Sequence, residues 1–215
     1  MSKLERPTKD VCLLINGPPS SGKDTAALFI RDNYSAKYDV QLLRFSDPLK
    51  DSICSWLGIR RGSEGERLLE LKKDVPDHRL NGLSYRQAQI KLSEDHIKPI
   101  YGKQQFGRWA AEKVLVKLEQ AKHKTLSINR KPVMFVFPDS GFAHEAWPVQ
   151  MEFVFPDFAL MHLHRDTCNY DNDSRSYIEL PNCPVMEVRN NGLLPDFFAE
   201  IERQVDGWLS YVEVQ

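Results

Sequence analysis

Residues 16–25 read Asn-Gly-Pro-Pro-Ser-Ser-Gly-Lys-Asp-Thr, and this stretch constrains the fold more than any other part of the chain. It follows an apolar run, Val11 to Ile15, that predicts a buried strand, and it precedes a segment that predicts a helix. Gly17, Gly22 and Lys23 have the G-x-x-x-x-G-K spacing of a phosphate-binding loop. A strand, a glycine-containing loop, a lysine and a helix in this order indicate a domain that binds a nucleoside triphosphate.

Each part of this pattern has a physical role in holding phosphate. Glycine lets the backbone turn so that several N–H groups point into one concavity, and the helix start adds partial positive charge. The Lys23 ammonium would reach the outer phosphates, so we expect it to be catalytic as well. The alternative is a glycine turn that binds nothing. The predicted nucleotide-binding residues of the loop are Gly17, Pro18, Pro19, Ser20, Ser21, Gly22, Lys23, Asp24 and Thr25.

The residue after the lysine departs from the usual pattern. A Ser or Thr normally stands there and holds Mg²⁺ through its hydroxyl. This chain has Asp24, followed by Thr25. Two arrangements stay open: Asp24 assists the metal directly or through water, or Thr25 takes over the role.

Composition fits an ordinary globular protein. A chain of 215 residues is long enough for one α/β domain and short for two, and its net charge of −1 gives no global attraction to nucleic acid, while leaving room for a local basic groove. The N-terminus is polar and no apolar run approaches the ~18 residues of a membrane span, so we expect a cytoplasmic protein without a membrane partner. The cysteines show neither C-x-x-C nor zinc spacing and are expected to be reduced thiols: Cys12, Cys54, Cys168 and Cys183.

Predicted strands alternate with predicted helices along the chain. This alternation predicts an α/β fold in one domain, 1–215, with a central parallel sheet and helices on both faces. In such sheets ligands bind beyond the carboxyl ends of the strands, where the next motifs fall. The predicted strands are Val11–Ile15, Val40–Phe45, Pro132–Phe137, Phe158–Leu163 and Val185–Val188, and the closing helix is Leu194–Val212.

Two aspartates follow predicted strands. Asp47 comes after the second strand, where a carboxylate would take the proton of an acceptor hydroxyl, unless Ser46 or Asp47 only caps the next helix. Lys50, one turn further, would neutralise a phosphate of the substrate. Asp139 comes after the third strand, the placement of a carboxylate that holds Mg²⁺ or acts as a base, although Asp-Ser-Gly also forms turns.

A polar stretch at about 165–178 lacks apolar periodicity and is bracketed by Arg165 and Arg175. It predicts a lid whose arginines close over the transferred phosphoryl group and exclude water, or else a solvated loop with incidental charges. Further on, Asn190 opens an Asn-Asn-Gly loop whose amide would meet a purine base, unless it is a plain turn.

The middle of the chain, about 60–117, mixes many charges of both signs with aromatic residues. It predicts a helical region that binds a phosphorylated or polymeric acceptor, with rings that stack on a base. A pair of solvated helices has the same composition. The substrate-binding candidates in this region are Tyr101 and Arg108, with Trp109 as a further stacking ring.

Several of these sequence segments resemble those of a known kinase family. Ser-Gly-Lys-Asp-Thr at 21–25, Phe-Ser-Asp-Pro-Leu-Lys at 45–50 and Val-Phe-Pro-Asp at 136–139 resemble the phage deoxynucleoside monophosphate kinases. In those kinases the strand-three Asp is followed by Thr and Arg, whereas this chain has Ser, Gly141 and Phe142. In lacking that cation, and in its segments at 93–99 and 173–177, this chain most resembles the 5-hydroxymethyluracil DNA kinases of thymine-hypermodifying phages.

The resemblance implies a P-loop NTPase fold of the nucleotide-kinase type with a lid loop, and ATP and Mg²⁺ as cofactors. It implies a kinase that phosphorylates the hydroxymethyl group of 5-hydroxymethyluracil in phage DNA, in the host cytoplasm, with Phe142 available to stack on the base. The alternative acceptor is a deoxynucleoside monophosphate. A different class of protein, an ATP-binding or slow ATPase module, also fits the loop.

Overall fold

The computed structural model describes residues 9–123, 130–171 and 173–215. A 3₁₀ turn covers His78–Leu80, and a π-helical stretch, Leu92–Ile97, connects two of the helices. In chain order the strands and other helices are β1 (Val11–Asn16), α1 (Lys23–Tyr34), β2 (Asp39–Leu42), α2 (Asp47–Trp56), α3 (Glu64–Leu71), α4 (Tyr85–Lys91), α5 (Lys98–Tyr101), α6 (Gln105–His123), β3 (Val133–Ser140), α7 (Ala143–Gln150), β4 (Phe158–His164), β5 (Val185–Arg189) and α8 (Leu194–Val214).

The strands form one parallel sheet, which confirms the predicted α/β fold. Their order is β2-β3-β1-β4-β5, so β1 lies at the centre with β3 and β4 as its neighbours. All six residues of β1 are buried. A strand covered on both faces reads as a continuous apolar run rather than an alternating one, which explains its sequence.

Both faces of the sheet are covered. On one face Leu13, Val136 and Met161 pack in a core with Ile30 of α1 and Ile201 of α8. The opposite face carries the alternate strand residues, which are equally buried. There the ring of Phe153, just after α7, packs against Phe135 and Phe158.

The contacts divide the chain into two compact units. The sheet unit comprises Met1–Phe45 and Gly107–Gln215, and the helical unit comprises Ser46–Phe106. The helical unit has its own core, formed by Ile53, Cys54, Leu69, Tyr85 and Ala88. In that unit Ser84 accepts a hydrogen bond from the Gln87 N–H while the Gln87 side chain accepts one from the Ser84 N–H, a capping box that starts α4.

Two strand ends differ from the prediction. β3 continues to Ser140, so Asp139 lies within the strand and not after it, because Asn16 pairs with Ser140 beyond an irregularity in the β1–β3 register. β2 ends at Leu42 instead of Phe45. The four cysteines are free, as predicted, and no helix in the described ranges has both the length and the apolar character to cross a membrane.

Candidate nucleotide-binding site

The loop between β1 and α1 has the conformation that its glycines permit. Ser20 has a φ of 63° and Gly22 a φ of 105°, both in the left-handed region. A Cβ added at Gly22 would lie 2.6 Å from Asn190 Nδ2. Glycine is therefore required at position 22 both by backbone conformation and by the close approach of a side chain.

Lys23, the first residue of α1, turns its side chain back over the loop. Its Nζ donates to the carbonyl oxygens of Gly17 and Pro18, each at 2.6 Å. Burial lowers the pKa of Lys23 to about 8, and the nearby Arg175 guanidinium adds to that effect. The loop therefore presents a desolvated cation at the N-terminal end of a helix, where negative charge is favoured.

Two side chains from later parts of the chain brace the loop. Asn190 Nδ2 donates to the Ser21 carbonyl at 2.8 Å, and Arg165 Nη1 donates to the Ser20 carbonyl at 3.2 Å. The Ser21 hydroxyl is buried without a hydrogen-bond partner in the described part of the chain. Most buried polar groups in proteins have a hydrogen-bond partner, so a water, an ion or a ligand would satisfy this hydroxyl.

A cavity of about 480 Å³ opens beside the loop and the first turn of α1. This volume is within the usual range for small-molecule sites. Asn190 and Arg165, both predicted from the sequence as site residues, line it together with the ring of Phe197. The remaining lining residues are Ser20, Gly22, Lys23, Asp24, Thr25, Gly192 and Leu194.

Two of the predicted carboxylates, Asp24 and Asp139, interact electrostatically with Lys23, and each favours the charged form of its ammonium. Asp24 Oδ1 pairs with Arg44 Nη2 at 2.6 Å, and Asp139 Oδ1 accepts the Phe45 N–H at 3.1 Å. The described residues contain no cluster of three or more His, Cys, Asp or Glu side chains suited to a metal. Mg²⁺ in phosphate sites needs only one or two carboxylates, because phosphates and water complete its shell. The two aspartates fit that donor set, with Thr25 on the cavity wall.

The predicted lid, here called the lid segment (165–178), contains no helix or strand among its described residues. Arg175 forms a two-point contact with Asp173, Nη2 to Oδ2 at 2.6 Å and Nε to Oδ1 at 2.9 Å. A Cβ added at Gly141 would lie 2.4 Å from Arg175 Cδ. The monophosphate kinases that the sequence resembles have an Arg where this chain has Gly141. In the structure the side chain of Arg175 lies against Gly141, so an arginine from the lid segment is present beside that position.

Sequence reasoning missed the residue that ties these pieces together. Asn16, at the end of β1, is fully buried and hydrogen-bonds to Ser140, Tyr170, Ser176 and Ile178. Its position directly before Gly17 was the only local signal. Arg44 and Asp173 were also missed, because their partners lie elsewhere in the sequence or are recognised only from geometry.

The histidines of β4 contact β5 and the end of the lid segment. His162 contacts Glu187 of β5 at 3.2 Å through Nδ1 and the Ile178 carbonyl at 3.0 Å through Nε2. His164 also contacts Glu187. The ring of Tyr177 packs on both imidazoles, so these residues anchor the end of the lid segment.

The remaining predicted site residues have observed contacts within their own units. In the helical unit, Asp47 Oδ1 accepts from Arg61 Nη2 at 2.9 Å, Lys50 Nζ pairs with Glu70 at 2.5 Å, and Tyr101 is half exposed. Ser46 forms no side-chain hydrogen bond that caps α2. In the sheet unit, Arg108 is exposed on α6 and Phe142 stacks on His144 with centroids 5.2 Å apart.

Comparison with known proteins finds solved structures that share little sequence with this chain. No protein-family model and no curated protein matches this chain. An unliganded sugar kinase from Janibacter sp. aligns with a TM-score of 0.49 and 9% identity over 92% of this chain and 95% of its own. A Mycobacterium tuberculosis APS kinase, in complex with AMPPNP and APS, gives 0.47 and 12% over 93% and 99%. A gluconokinase from Sinorhizobium meliloti gives 0.45 and 12% over 97% and 94%.

Proposed function

We propose that this chain is an ATP- and Mg²⁺-dependent kinase whose loop at 17–25 binds the phosphates of ATP. The single observation that supports this most strongly is the geometry of Lys23, an ammonium desolvated against the Gly17 and Pro18 carbonyls at the start of α1. ATP phosphates would replace those carbonyls as its partners. The adjoining cavity, lined by Asn190 and Phe197, would take the nucleoside part.

The other residues of the sheet unit then have distinct roles. Asp24 and Asp139, with Thr25, would hold Mg²⁺, which neutralises charge on the β- and γ-phosphates when it is bound. Arg175 acts electrostatically on both Lys23 and Asp139 and would stabilise the transferred phosphoryl group. Arg165, already bonded to the loop at Ser20, would hold the loop in shape and assist in the same way.

For the acceptor, the lead proposal is the hydroxymethyl group of 5-hydroxymethyluracil in phage DNA. It rests on the resemblance stated above and on Gly141-Phe142 after Asp139. Asp47 would accept the proton of the alcohol as the O–P bond forms. A base in duplex DNA must leave the stack to reach such a pocket, and Phe142, Tyr101 or Trp109 would stack on it.

One observation favours the second acceptor, a deoxynucleoside monophosphate. The Arg175 side chain lies against Gly141, so the position where the sequence lacks a cation is supplied with one from the lid segment. A guanidinium there would suit a phosphate on the acceptor. Its contact with Asp173 neutralises part of that charge.

The acceptor experiment separates the three outcomes. The protein is incubated with labelled ATP and Mg²⁺ and with hydroxymethyluracil-containing duplex, with each deoxynucleoside monophosphate, or with no acceptor. Label in the duplex supports the lead proposal, and label in mononucleotides alone replaces it with the second. ATP hydrolysis that no acceptor changes would identify a slow ATPase and overturn the kinase assignment. Lys23→Ala is the control and should abolish every activity.

A further inference from the structure

Asn16 is a buried amide at the point where β1 passes into the loop. It lies opposite Ser140 of β3 and opposite His162 of β4, so it borders both neighbours of the central strand. A break in the β1–β3 register occurs between Leu14 and Asn16. Irregularities of this kind re-aim side chains next to active sites.

The side chain of Asn16 uses both its donor and its acceptor groups. Its Nδ2 lies 3.0 Å from the Ser140 carbonyl, 3.1 Å from the Tyr170 hydroxyl and 3.2 Å from the Ser176 carbonyl. Its Oδ1 accepts the Ile178 N–H at 3.0 Å. The amide N–H groups are shared among three acceptors, and a side chain of another chemistry cannot reproduce this set.

The partners of Asn16 are the chain neighbours of the proposed catalytic groups. Asn16 directly precedes Gly17 and the loop, Ser140 directly follows Asp139, and Ser176 directly follows Arg175. One amide therefore joins the backbone beside the loop, the backbone beside the metal-binding carboxylate and the backbone beside the lid arginine. Ile178, which Asn16 also binds, is held on its other side by His162.

We propose that Asn16 is a positioning residue that sets Asp139 and Arg175 in register with the phosphate-binding loop. This inference rests on the proposed function, and it names a residue through which that function depends on the fold. Asn16 touches neither phosphate nor acceptor in this role; it acts through Ser140 and Ser176. Its burial fits this role, because a fully buried amide with four partners is held in one orientation.

The first test measures the anchoring itself and needs no catalysis. Asn16→Asp keeps the size of the side chain and its acceptor for Ile178. As a carboxylate it cannot donate to the Ser140 and Ser176 carbonyls, and as a neutral acid it has one proton where the amide has two. We expect amide hydrogen exchange in peptides covering 173–178 to become faster, while peptides of α8 keep their protection. Unchanged exchange at 173–178 overturns the proposal, whatever reaction the protein catalyses.

The second test is a double-mutant cycle with Arg175→Ala. Asn16→Asp should lower kcat by about 10²-fold, as a small misplacement of catalytic groups can, with a nearly unchanged dissociation constant for ATP. If Asn16 acts by placing Arg175 as well as Asp139, the double variant should lose clearly less kcat than the two single losses combined, because only the part that acts through Asp139 remains. Additive losses, or a loss of ATP affinity as large as the loss of kcat, overturn it.

Controls separate positioning from general instability. Val205→Ala removes buried volume from α8, away from the loop, and should lower the melting temperature without lowering kcat. Tyr170→Phe removes a single partner of Asn16 and serves if Asn16→Asp fails to fold. Its smaller loss of kcat should also be reduced in the Arg175→Ala background. If the wild-type protein transfers phosphate to no acceptor, the proposed function fails and the exchange measurement still decides the role of Asn16.

Discussion

Lys23 shows how one residue combines local sequence with its folded surroundings. The loop carbonyls of Gly17 and Pro18 solvate its ammonium, while burial and Arg175 disfavour the charge. A bound phosphate would favour the charge strongly. The pKa of Lys23, lowered to about 8, therefore lies within reach of working pH, and a change in its protonation would report on phosphate binding.

The affinity for ATP should depend on pH through Lys23. Its pKa is lowered from 10.5 to about 8 in the folded, ligand-free protein, so well above pH 8 the amine is neutral before binding and charged afterwards. We expect the uptake of up to one proton on binding at such pH, and affinity that falls as pH rises through 8. Calorimetry in buffers of different ionisation enthalpy measures this uptake.

Well below pH 8 the amine is charged in both states, so no uptake by Lys23 is expected there. Lys23→Arg keeps a charge at every working pH and is the control that should lose the uptake. The same lowered pKa affects folding stability. Between about pH 8 and pH 10.5 the unfolded chain binds more protons at Lys23 than the folded chain does, so this residue makes the free energy of unfolding rise with pH over that interval. Proton uptake equal in wild type and Lys23→Arg would contradict the assignment.

Gly22 provides a second test at the scale of a single residue. Gly22→Ala forces a side chain into a φ of 105° and against Asn190 Nδ2. We expect a loss of about 1–2 kcal/mol in the free energy of unfolding from backbone strain, with weaker ATP binding because Asn190 no longer braces the loop. Denaturant melts and ATP titrations measure the two effects.

The matched control for Gly22 is Gly207 in α8. A Cβ added there meets nothing within 4 Å, and its backbone is helical. Gly207→Ala should stabilise the protein by about 0.5–1 kcal/mol and leave ATP binding unchanged. Equal effects at the two glycines would show that the loop conformation has no special importance.

At the start of α2, Asp47 could serve either as a catalytic base or as part of a structural ion-pair network. Asp47 opens this helix, and the Arg61 guanidinium that binds it also contacts Asp51 and Glu66. An arginine shared by three carboxylates holds Asp47 in place. The arrangement is compatible with a base that must be oriented and with a purely structural ion-pair network.

Asp47→Asn separates these two roles. The amide still accepts a hydrogen bond from Arg61 but cannot take a proton, so turnover should fall about 10²-fold with little change in ATP affinity if Asp47 is the base. Steady-state kinetics with whichever acceptor takes up label from ATP measure the change. Unchanged turnover would leave Asp47 only its structural part in the Arg61 network.

Arg61→Gln is the companion variant for that network. It should destabilise the helical unit, because three carboxylates lose their common partner. Turnover that falls more in Asp47→Asn than in Arg61→Gln, while the melting temperature falls only in Arg61→Gln, would assign the base to Asp47 itself.

At the scale of the whole molecule, the chain folds as two compact units, each with a separate core. The proposed ATP site uses residues of the sheet unit, whereas Asp47, Lys50 and Tyr101 belong to the helical unit. ATP binding and acceptor turnover should therefore respond differently to damage in one core.

Ile53→Ala tests this division. Ile53 is fully buried in the helical core, and its truncation should lower stability by about 2–5 kcal/mol. We expect ATP affinity to be retained and acceptor turnover to fall, with faster hydrogen exchange confined to Ser46–Phe106. A parallel loss of ATP affinity would show that the two units do not respond separately.

The loop and its flanking elements were predictable because their determinants are contiguous. A buried apolar strand, a glycine at position 22 and a lysine at the helix start each follow from a few neighbouring residues, and β1 and α1 lie where the sequence placed them. Strand ends were less predictable. β3 reaches Ser140 through its pairing with Asn16, a contact that local propensity does not encode.

The connections across the site depend on residues far apart in the chain. Asn16 and Ser140 are 124 positions apart, and Arg175 reaches Gly141 only because the lid segment returns to the end of β3. A short stretch of sequence determines which donor and acceptor atoms are available and which backbone conformations are allowed. Which strands become neighbours, and hence which distant amide, carboxylate or guanidinium meets which partner, is settled by the burial of both sheet faces at once. The conformation of the loop at 17–25 belongs to the first kind of information, and its bracing by Arg165 and Asn190 belongs to the second.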